Sequence, residues 1–168
     1  MMTSDAVLRL FDALRESGVE AWLDGGWGVD ALLGEQTRDH DDLDLVVELG
    51  RVPEIEKALS PLGYGITEDE RPTRIVFRGP EGSVDLHTVV FDEGGGGVQT
   101  LQSGATYRYP PEGFNETGMV GGRSLPCLSA RVQIECHMGY EPTPKDREDM
   151  RLLSEKFGLR LPRVYRDH

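Results

Sequence analysis

Residues 24–48 of the chain read DGGWGVDALLGEQTRDHDDLDLVVE, and the rest of the sequence is organised around them. The glycine pair at 25–26 predicts a tight turn after a short strand, because glycine tolerates the positive φ angles that such turns need. Residues 27–33 are typical of a two-turn helix, and Gly34 is a typical residue for its end. Residues 43–48, with adjacent valines among leucines, predict a strand.

The predicted strand carries acidic residues at alternate positions. Side chains at alternate positions of a strand point to the same face, so His40, Asp42 and Asp44 share one face. The opposite face is apolar and anchors the strand in a core (Leu43, Leu45 and Val47). Two close carboxylates repel each other unless a cation neutralises them, and hard oxygen ligands suit Mg²⁺. The plainer alternative is an acidic, solvated strand start without a ligand.

A third carboxylate, Asp85, lies on the predicted strand 83–91 and shares its face with Ser83 and His87. If this strand lies beside the first, three carboxylates converge. Such a group suits nucleotidyl transfer, in which two carboxylates hold one or two Mg²⁺ ions and the third takes a proton from an attacking hydroxyl. Asp85 is therefore a candidate both for metal binding and for catalysis.

The glycine pair is a candidate phosphate site. Backbone N–H groups of Gly25 and Gly26 can approach phosphate oxygens closely, and the helix that follows adds a favourable dipole. Arg38 and His40 precede the acidic pair and are candidates for the same phosphates, although a salt bridge and a structural histidine are equally good interpretations. Residues 26–31 also match the Gly-x-Gly-x-x-Ala dinucleotide fingerprint. The short helix and the acids at the start of the strand argue against that fold.

The remaining elements follow from capping residues, periodicity and turn residues. A helix is predicted from Ser4 to Gly18, and another covers residues 53–62. Short strands and hairpins are predicted at 65–68, at 74–78 with 83–91, and around Gly121-Gly122. Ser129 and Thr143 are expected to cap two further helices. Residues 98–117 are expected to be irregular, and residues 160–168 a frayed tail.

This order of elements predicts an α/β (α+β) fold, with a mixed, mostly antiparallel sheet flanked by helices and followed by C-terminal helices. We expect a core formed by residues 1–128. Residues 129–168 are expected to form a C-terminal helical segment packed on that core.

Composition limits the partners. The 168 residues include 18 basic and 30 acidic side chains, for a formal net charge of -12, so neither nucleic acid nor a membrane is an expected partner. No apolar run is long enough to span a bilayer and no signal peptide is visible, so we expect a cytoplasmic protein. Cys127 and Cys136 form no Cys-x-x-Cys motif and are expected to pack as free thiols.

Three groups of residues resemble one known family. They are the run from Trp22 to Asp30, the Arg-x-His-x-Asp-x-Asp pattern at 38–44, and the Asp-x-His pattern at 85–87. They resemble the antibiotic-modifying nucleotidyltransferases of the polymerase-beta superfamily, most closely the lincosamide nucleotidyltransferases and more distantly the aminoglycoside 2''-adenylyltransferases. The resemblance covers nearly the whole chain through further positions (Leu125 to Cys127, Gln133, His137, Gly139, Tyr140 and Asp146).

The resemblance implies a nucleotidyltransferase fold and a set of site residues. Asp42 and Asp44 would be Mg²⁺ ligands, and Asp85 would be a third ligand or the general base. The glycine pair at 25–26 would bind the nucleotide phosphates, with Arg38 assisting. Members of this kind often act as dimers, so a homodimer is also implied.

The implied reaction is Mg²⁺-dependent transfer of a nucleoside monophosphate, with ATP as the expected donor, to a hydroxyl of a small antibiotic-like acceptor. A lincosamide ranks first by motif, and an aminoglycoside second, favoured by the acidic charge balance. Residues 92–117 have no counterpart in the resemblance, so the acceptor-binding residues stay unassigned. The alternatives are AMP transfer to a protein hydroxyl and a catalytically inactive nucleotide-binding homologue.

Overall fold

The structure is a computed structural model that describes residues 1–166. Its helices are α1 (Ser4–Glu16), α2 (Gly25–Leu33), α3 (Val52–Leu59), α4 (Ala130–Cys136) and α5 (Pro144–Phe157). Its strands are β1 (Ala21–Asp24), β2 (Asp42–Glu48), β3 (Gly65–Glu70), β4 (Arg74–Gly79), β5 (Gly82–Phe91), β6 (Gly97–Thr100), β7 (Thr106–Tyr109), β8 (Glu116–Val120) and β9 (Arg123–Cys127). Asp167 and His168, the end of the predicted tail, lie outside the described residues.

The strands form a mixed sheet in the order β3-β4-β5-β2-β1-β9-β8, with β6 paired to β5 and β7 paired to β6. β2 pairs in parallel with β5, and β1 pairs in parallel with β9. The other strand pairs are antiparallel. The predicted α/β (α+β) fold class, a mostly antiparallel sheet flanked by helices and followed by C-terminal helices, is confirmed.

Strand β2 contributes to two hydrophobic clusters through its two faces. Leu43, Leu45 and Val47 join the main core, which also contains residues of α1, α2, α3 and α5. Val46 joins a smaller cluster on the opposite face, built mainly from β7, α4 and neighbouring aromatic residues. Because Asp44 lies on the same face as Val46, the acidic side of β2 opens beside this smaller cluster.

Two predicted helix boundaries were wrong. Thr3 caps α1 in place of Ser4, since its hydroxyl accepts a hydrogen bond from the Ala6 N–H at 3.2 Å. Helix α2 begins at Gly25, so the glycine pair forms the first turn of the helix and is not a separate turn before it. Gly34 ends α2 with φ 84°, as predicted.

Residues 98–117 are more regular than predicted, because β6 and β7 form a hairpin there. Gln99 is buried in it: the Tyr109 hydroxyl donates to Gln99 Oε1 at 3.1 Å, and Gln99 Nε2 donates to the Thr73 carbonyl at 2.9 Å. An inward-facing glutamine with partners on both sides hides the apolar alternation by which strands are recognised.

The C-terminal residues pack closely on the sheet. Thr143 and Asp146 form a capping box at the start of α5, which confirms the predicted cap. Met150 and Leu153 of α5 are fully buried in the main core. The predicted frayed tail was wrong up to residue 166, since Tyr165 packs on the core and donates to the His137 carbonyl at 2.6 Å. The division at residue 128 stays a prediction.

None of the helices within residues 1–166 combines the length and apolar surface that crossing a bilayer requires.

Close packing of β8 on α2 gives a stability prediction. A β-carbon at Gly118 would lie 2.6 Å from both the carbonyl carbon and the β-carbon of Ala31. Gly118→Ala should therefore lower the free energy of unfolding by about 1–3 kcal/mol, the usual cost of overpacking. Urea denaturation measures this loss. The matched control is Gly50→Ala, where a β-carbon meets nothing within 4 Å, and its change should stay within about 0.5 kcal/mol. Equal losses in the two variants would contradict the packing explanation.

Candidate active site

Three neighbouring strands bring carboxylates together. The register of β2 places Asp44 opposite Asp24 of β1 on one side and opposite Asp85 of β5 on the other. Single ligand atoms of Asp44, Asp85 and His87 all lie within 4.8 Å of one another. The sequence predicts that Asp44 and Asp85 converge if their strands are neighbours. The parallel pairing of β2 and β5 meets this condition. Asp42 stands apart from this group, with an exposed side chain at the start of β2.

Positive charge in the group comes from His87 and Arg74. His87 Nε2 lies 3.5 Å from Asp44 Oδ1. Burial by itself lowers the pKa of His87, but the hydrogen bond to Asp44 and the surrounding carboxylates outweigh it and raise that pKa to about 9. Burial raises the pKa of Asp44, and His87 opposes this rise. The imidazolium is therefore the protonated partner near neutral pH.

Arg74 of β4 holds Asp85 with a two-pronged contact. Its Nε lies 2.9 and 2.8 Å from the two carboxylate oxygens, and its Nη2 lies 2.6 Å from Oδ2. This bond and the nearby acids raise the pKa of the Arg74 guanidinium, although burial opposes the rise. Three residues of the site, Arg74, His87 and Asp24, had no role in the sequence prediction. The alternation of side chains on β5 places His87 on the same face as Asp85. Arg74 could be found only from the antiparallel register of β4 and β5.

The first turn of α2 lies against the acidic group. Asp24 caps the helix by accepting a hydrogen bond from the Gly25 N–H at 2.8 Å. Gly25 has φ 57°, and a β-carbon there would overlap the carboxylate of Asp44. Glycine is therefore required at this position both by conformation and by space. The helix N-terminus and the carboxylates are direct neighbours.

His40 has a different place from the one that strand parity predicts. It lies before the start of β2, pairs only with Met2 through an isolated bridge, and is 2% exposed. Its Nε2 lies 2.5 Å from Asp30 Oδ2, and its Nδ1 lies 2.9 Å from Arg38 Nη1. Both ring nitrogens are thus occupied behind the glycine turn. The predicted contact of His40 with the phosphates stays a prediction.

A cavity of about 560 Å³ opens beside the acidic group. Its floor includes Asp24, Gly25, Asp44 and His87. Its other walls come from the β6–β7 hairpin and from the end of α4 with the loop after it (Gln99, Leu101, Tyr107, Tyr109, Glu135, Cys136, His137, Met138, Gly139 and Tyr140). The cavity therefore combines a polar, acidic floor with largely aromatic and apolar walls, as small-molecule sites commonly do.

Solved structures with this architecture define the class of the protein. A crystal structure of the lincosamide antibiotic adenylyltransferase LnuA with lincomycin bound has a TM-score of 0.81 and 29% identity, and covers 91% of this chain and 97% of its own. A crystal structure of ANT(2'')-Ia with adenylyl-2''-tobramycin has a TM-score of 0.73, covering 92% of this chain and 89% of its own; at 22% identity it supports the fold alone. The protein is a nucleotidyltransferase.

Sequence relatives identify the family. A model of the aminoglycoside-2''-adenylyltransferase family matches residues 6–153, and the chain belongs to that family. A lincosamide resistance protein of Staphylococcus haemolyticus is 31% identical over 153 residues, which cover 90% of this chain and 94% of that protein. A 2''-aminoglycoside nucleotidyltransferase of Klebsiella pneumoniae is 39% identical over 61 residues, 36% of this chain and 34% of that protein.

The contact between Gly25 and Asp44 gives a prediction for activity. Gly25→Ala should lower kcat/KM about 100-fold or more, because the new methyl group displaces the Asp44 carboxylate and misplacement of about 1 Å costs that much. Steady-state kinetics with ATP and an accepted substrate measures the loss.

The control for this prediction lies at the other end of the same helix. Gly34 has φ 84°, and a β-carbon there would meet only Lys156 Nζ, at 4.0 Å. Gly34→Ala carries the same backbone strain of about 1–2 kcal/mol and should keep near-normal activity. Equal activity losses in the two variants would show that backbone strain, and not the Asp44 contact, is responsible.

Proposed function

We propose that this nucleotidyltransferase transfers a nucleoside monophosphate, AMP from ATP, to a hydroxyl of a small antibiotic-like acceptor, with Mg²⁺ as cofactor. The observation that carries the proposal is the position of Asp44 in the floor of a substrate-sized cavity, beside Gly25 of α2 and with its carboxylate within 4.8 Å of that of Asp85. This position supports a site in which phosphate, metal and acceptor would bind next to one another.

The donor atoms fit a divalent cation. Asp44 and Asp85 present carboxylate oxygens within 4.8 Å of each other, and both are partly withdrawn from water. In the chain alone, His87 and Arg74 supply the positive charge that such carboxylates need. Asp42 lies two residues before Asp44 on β2, has an exposed side chain, and is proposed as a further ligand. Bound there, Mg²⁺ would neutralise charge on the triphosphate.

The proposed reaction is a single displacement at phosphorus. The acceptor hydroxyl oxygen forms a bond to the α-phosphorus of ATP, the bond from that phosphorus to the bridging oxygen breaks, and pyrophosphate leaves with the electron pair. Asp85 is proposed to take the hydroxyl proton. Its contact with Arg74 uses only part of its hydrogen-bonding capacity, since a carboxylate offers about four lone-pair positions.

The nucleotide side is proposed to be the first turn of α2. Gly26 would present its backbone N–H to the phosphates, where the helix dipole favours negative charge. The Gly25 N–H donates to Asp24 in the chain alone and would have to exchange that partner for a phosphate oxygen to take the same role. The Arg38 guanidinium lies beside this turn: its Nη2 is 2.7 Å from the place that a β-carbon at Gly26 would occupy. His40 would act indirectly, by supporting Arg38 and the turn from the buried side.

The acceptor side is proposed to be the aromatic part of the cavity. Tyr107, Tyr109 and Tyr140 suit an acceptor with an apolar body, and Glu135 together with Asp24 suits one amine. This lining supports a lincosamide as the first acceptor, as does the match to a lincosamide resistance protein over 90% of this chain. An aminoglycoside ranks second, because the sequence match to the aminoglycoside nucleotidyltransferase of Klebsiella pneumoniae spans only 36% of this chain.

Pyrophosphate release tests the proposal directly. Incubation with ATP, MgCl₂ and a panel of lincosamides and aminoglycosides should release pyrophosphate with at least one drug, and lincosamides should be preferred by kcat/KM. Mass spectrometry of the product should show the added AMP. Release with none of the drugs would defeat the antibiotic acceptor, and labelled AMP on protein would favour a protein hydroxyl.

The carboxylate roles give a second prediction. Asp85→Asn should lower kcat by about 10²–10⁴-fold, the usual contribution of a general base, and Asp44→Asn should lower it at least as much. The matched control is Asp41→Asn, because Asp41 is the exposed neighbour that strand parity leaves outside the site. An active Asp44→Asn enzyme would refute the metal assignment, and an inactive Asp41→Asn enzyme would point to a general loss of acidic charge.

A further inference from the structure

We infer that Asp149 of α5 is a positioning residue for nucleotide binding: it fixes the Arg38 guanidinium at the start of α2. This inference rests on the proposed function, because it assigns Arg38 to the nucleotide phosphates. It makes the C-terminal helix part of the nucleotide site, although α5 lies more than one hundred positions later in the chain.

Asp149 meets Arg38 with the geometry of a planar fork. Arg38 Nη2 donates to Asp149 Oδ2 at 2.7 Å, and Arg38 Nε donates to Asp149 Oδ1 at 3.3 Å. Asp149 is 2% exposed and its carboxylate pairs with no other side chain within residues 1–166, whereas the Arg38 side chain is 28% exposed. A buried carboxylate needs such a pair, and a paired guanidinium loses its freedom to rotate. Arg38 is thus fixed from its buried side and reaches solvent on the other.

A series of buried hydrogen bonds fixes the opposite edge of the guanidinium. Arg38 Nη1 can only donate, so His40 Nδ1 at 2.9 Å must accept, and His40 Nε2 then carries the hydrogen toward Asp30. Asp30 Oδ1 also accepts from the Thr37 hydroxyl at 2.6 Å. Asp30 belongs to α2 and Asp149 to α5, so Arg38 is held between two separate elements.

One hydrogen of the guanidinium is left over close to the proposed phosphate position. Nη2 carries two hydrogens, and Asp149 takes one of them. This same nitrogen lies over Gly26, 2.7 Å from the place of a β-carbon there. The remaining Nη2 hydrogen is therefore available beside the first turn of α2, where it would share one phosphate with the Gly26 N–H.

A positioning role and a purely electrostatic role of Asp149 predict opposite changes in ATP affinity when its charge is removed. A carboxylate near a triphosphate repels it, so a merely neutralising Asp149 would weaken nucleotide binding. Asp149→Asn keeps the shape and removes the charge. If Asp149 only neutralised Arg38, this variant would bind ATP more tightly. If Asp149 positions Arg38, the variant binds ATP more weakly, although the site has become more positive.

The experiment titrates ATP in MgCl₂ against the full chain and measures Kd together with KM and kcat. Asp149→Asn should raise both the Kd and the KM for ATP about 10- to 100-fold, the range expected for a lost hydrogen bond to a charged group, with kcat changed much less. Glu148→Gln removes the same charge from the exposed face of α5 and should leave the three constants unchanged. Unchanged or tighter ATP binding by Asp149→Asn would overturn the inference.

Two further variants separate positioning from stability. Arg38→Lys keeps the charge, leaves Asp149 paired and removes the fork, and it should weaken ATP binding to a similar degree. In an Arg38→Met background, Asp149→Asn should add no further loss, because Asp149 acts only through Arg38. Normal ATP binding by Arg38→Lys, or a full additional loss in the double variant, would contradict the inference. A wild-type chain that binds no ATP would defeat the proposed function itself.

Discussion

The structure depends on holding several carboxylates close together where water is scarce. Asp24, Asp44 and Asp85 come from adjacent strands, and Asp44 is the middle one. Like charges at this spacing oppose folding unless positive groups or hydrogen-bond donors meet them. The chain supplies His87 for Asp44, Arg74 for Asp85 and the Gly25 N–H for Asp24. These partners come from β4, β5 and the first turn of α2. Each carboxylate is therefore compensated by a group on a neighbouring strand or on the adjoining helix, and the strand order brings these groups together.

The same requirement explains which site residues could be predicted from the sequence. The alternation of apolar and acidic residues selected Asp44 and Asp85, because both lie inside regular strands where the two-residue period holds. His40 shows the limit of that rule. It lies before the first residue of β2, and its buried side chain pairs with Asp30 of α2. The two-residue alternation of side chains is a reliable guide only within the strand itself.

Other parts of the site depend on register and on long-range packing, which a single sequence does not contain. Arg74 is one arginine among many until the pairing of β4 with β5 sets Val76 opposite Asp85 and Arg74 opposite His87. Asp149 lies on a helix whose other acidic residues are mostly exposed and paired locally (Asp146, Glu148 and Glu155). Its burial becomes visible only when α5 packs on α2.

The two sides of the cavity come from different parts of the chain, and this division bears on specificity. The floor comes from residues 24–48 and β5, and its geometry is set by paired charges that tolerate little change. The walls come from the β6–β7 hairpin and the residues after α4, where Leu101, Met138 and Tyr140 are exposed side chains with few constraints. Residues on such loops can vary without disturbing the floor. This fold can therefore keep its acidic floor unchanged while the walls of the cavity change, because the walls carry the least structural burden.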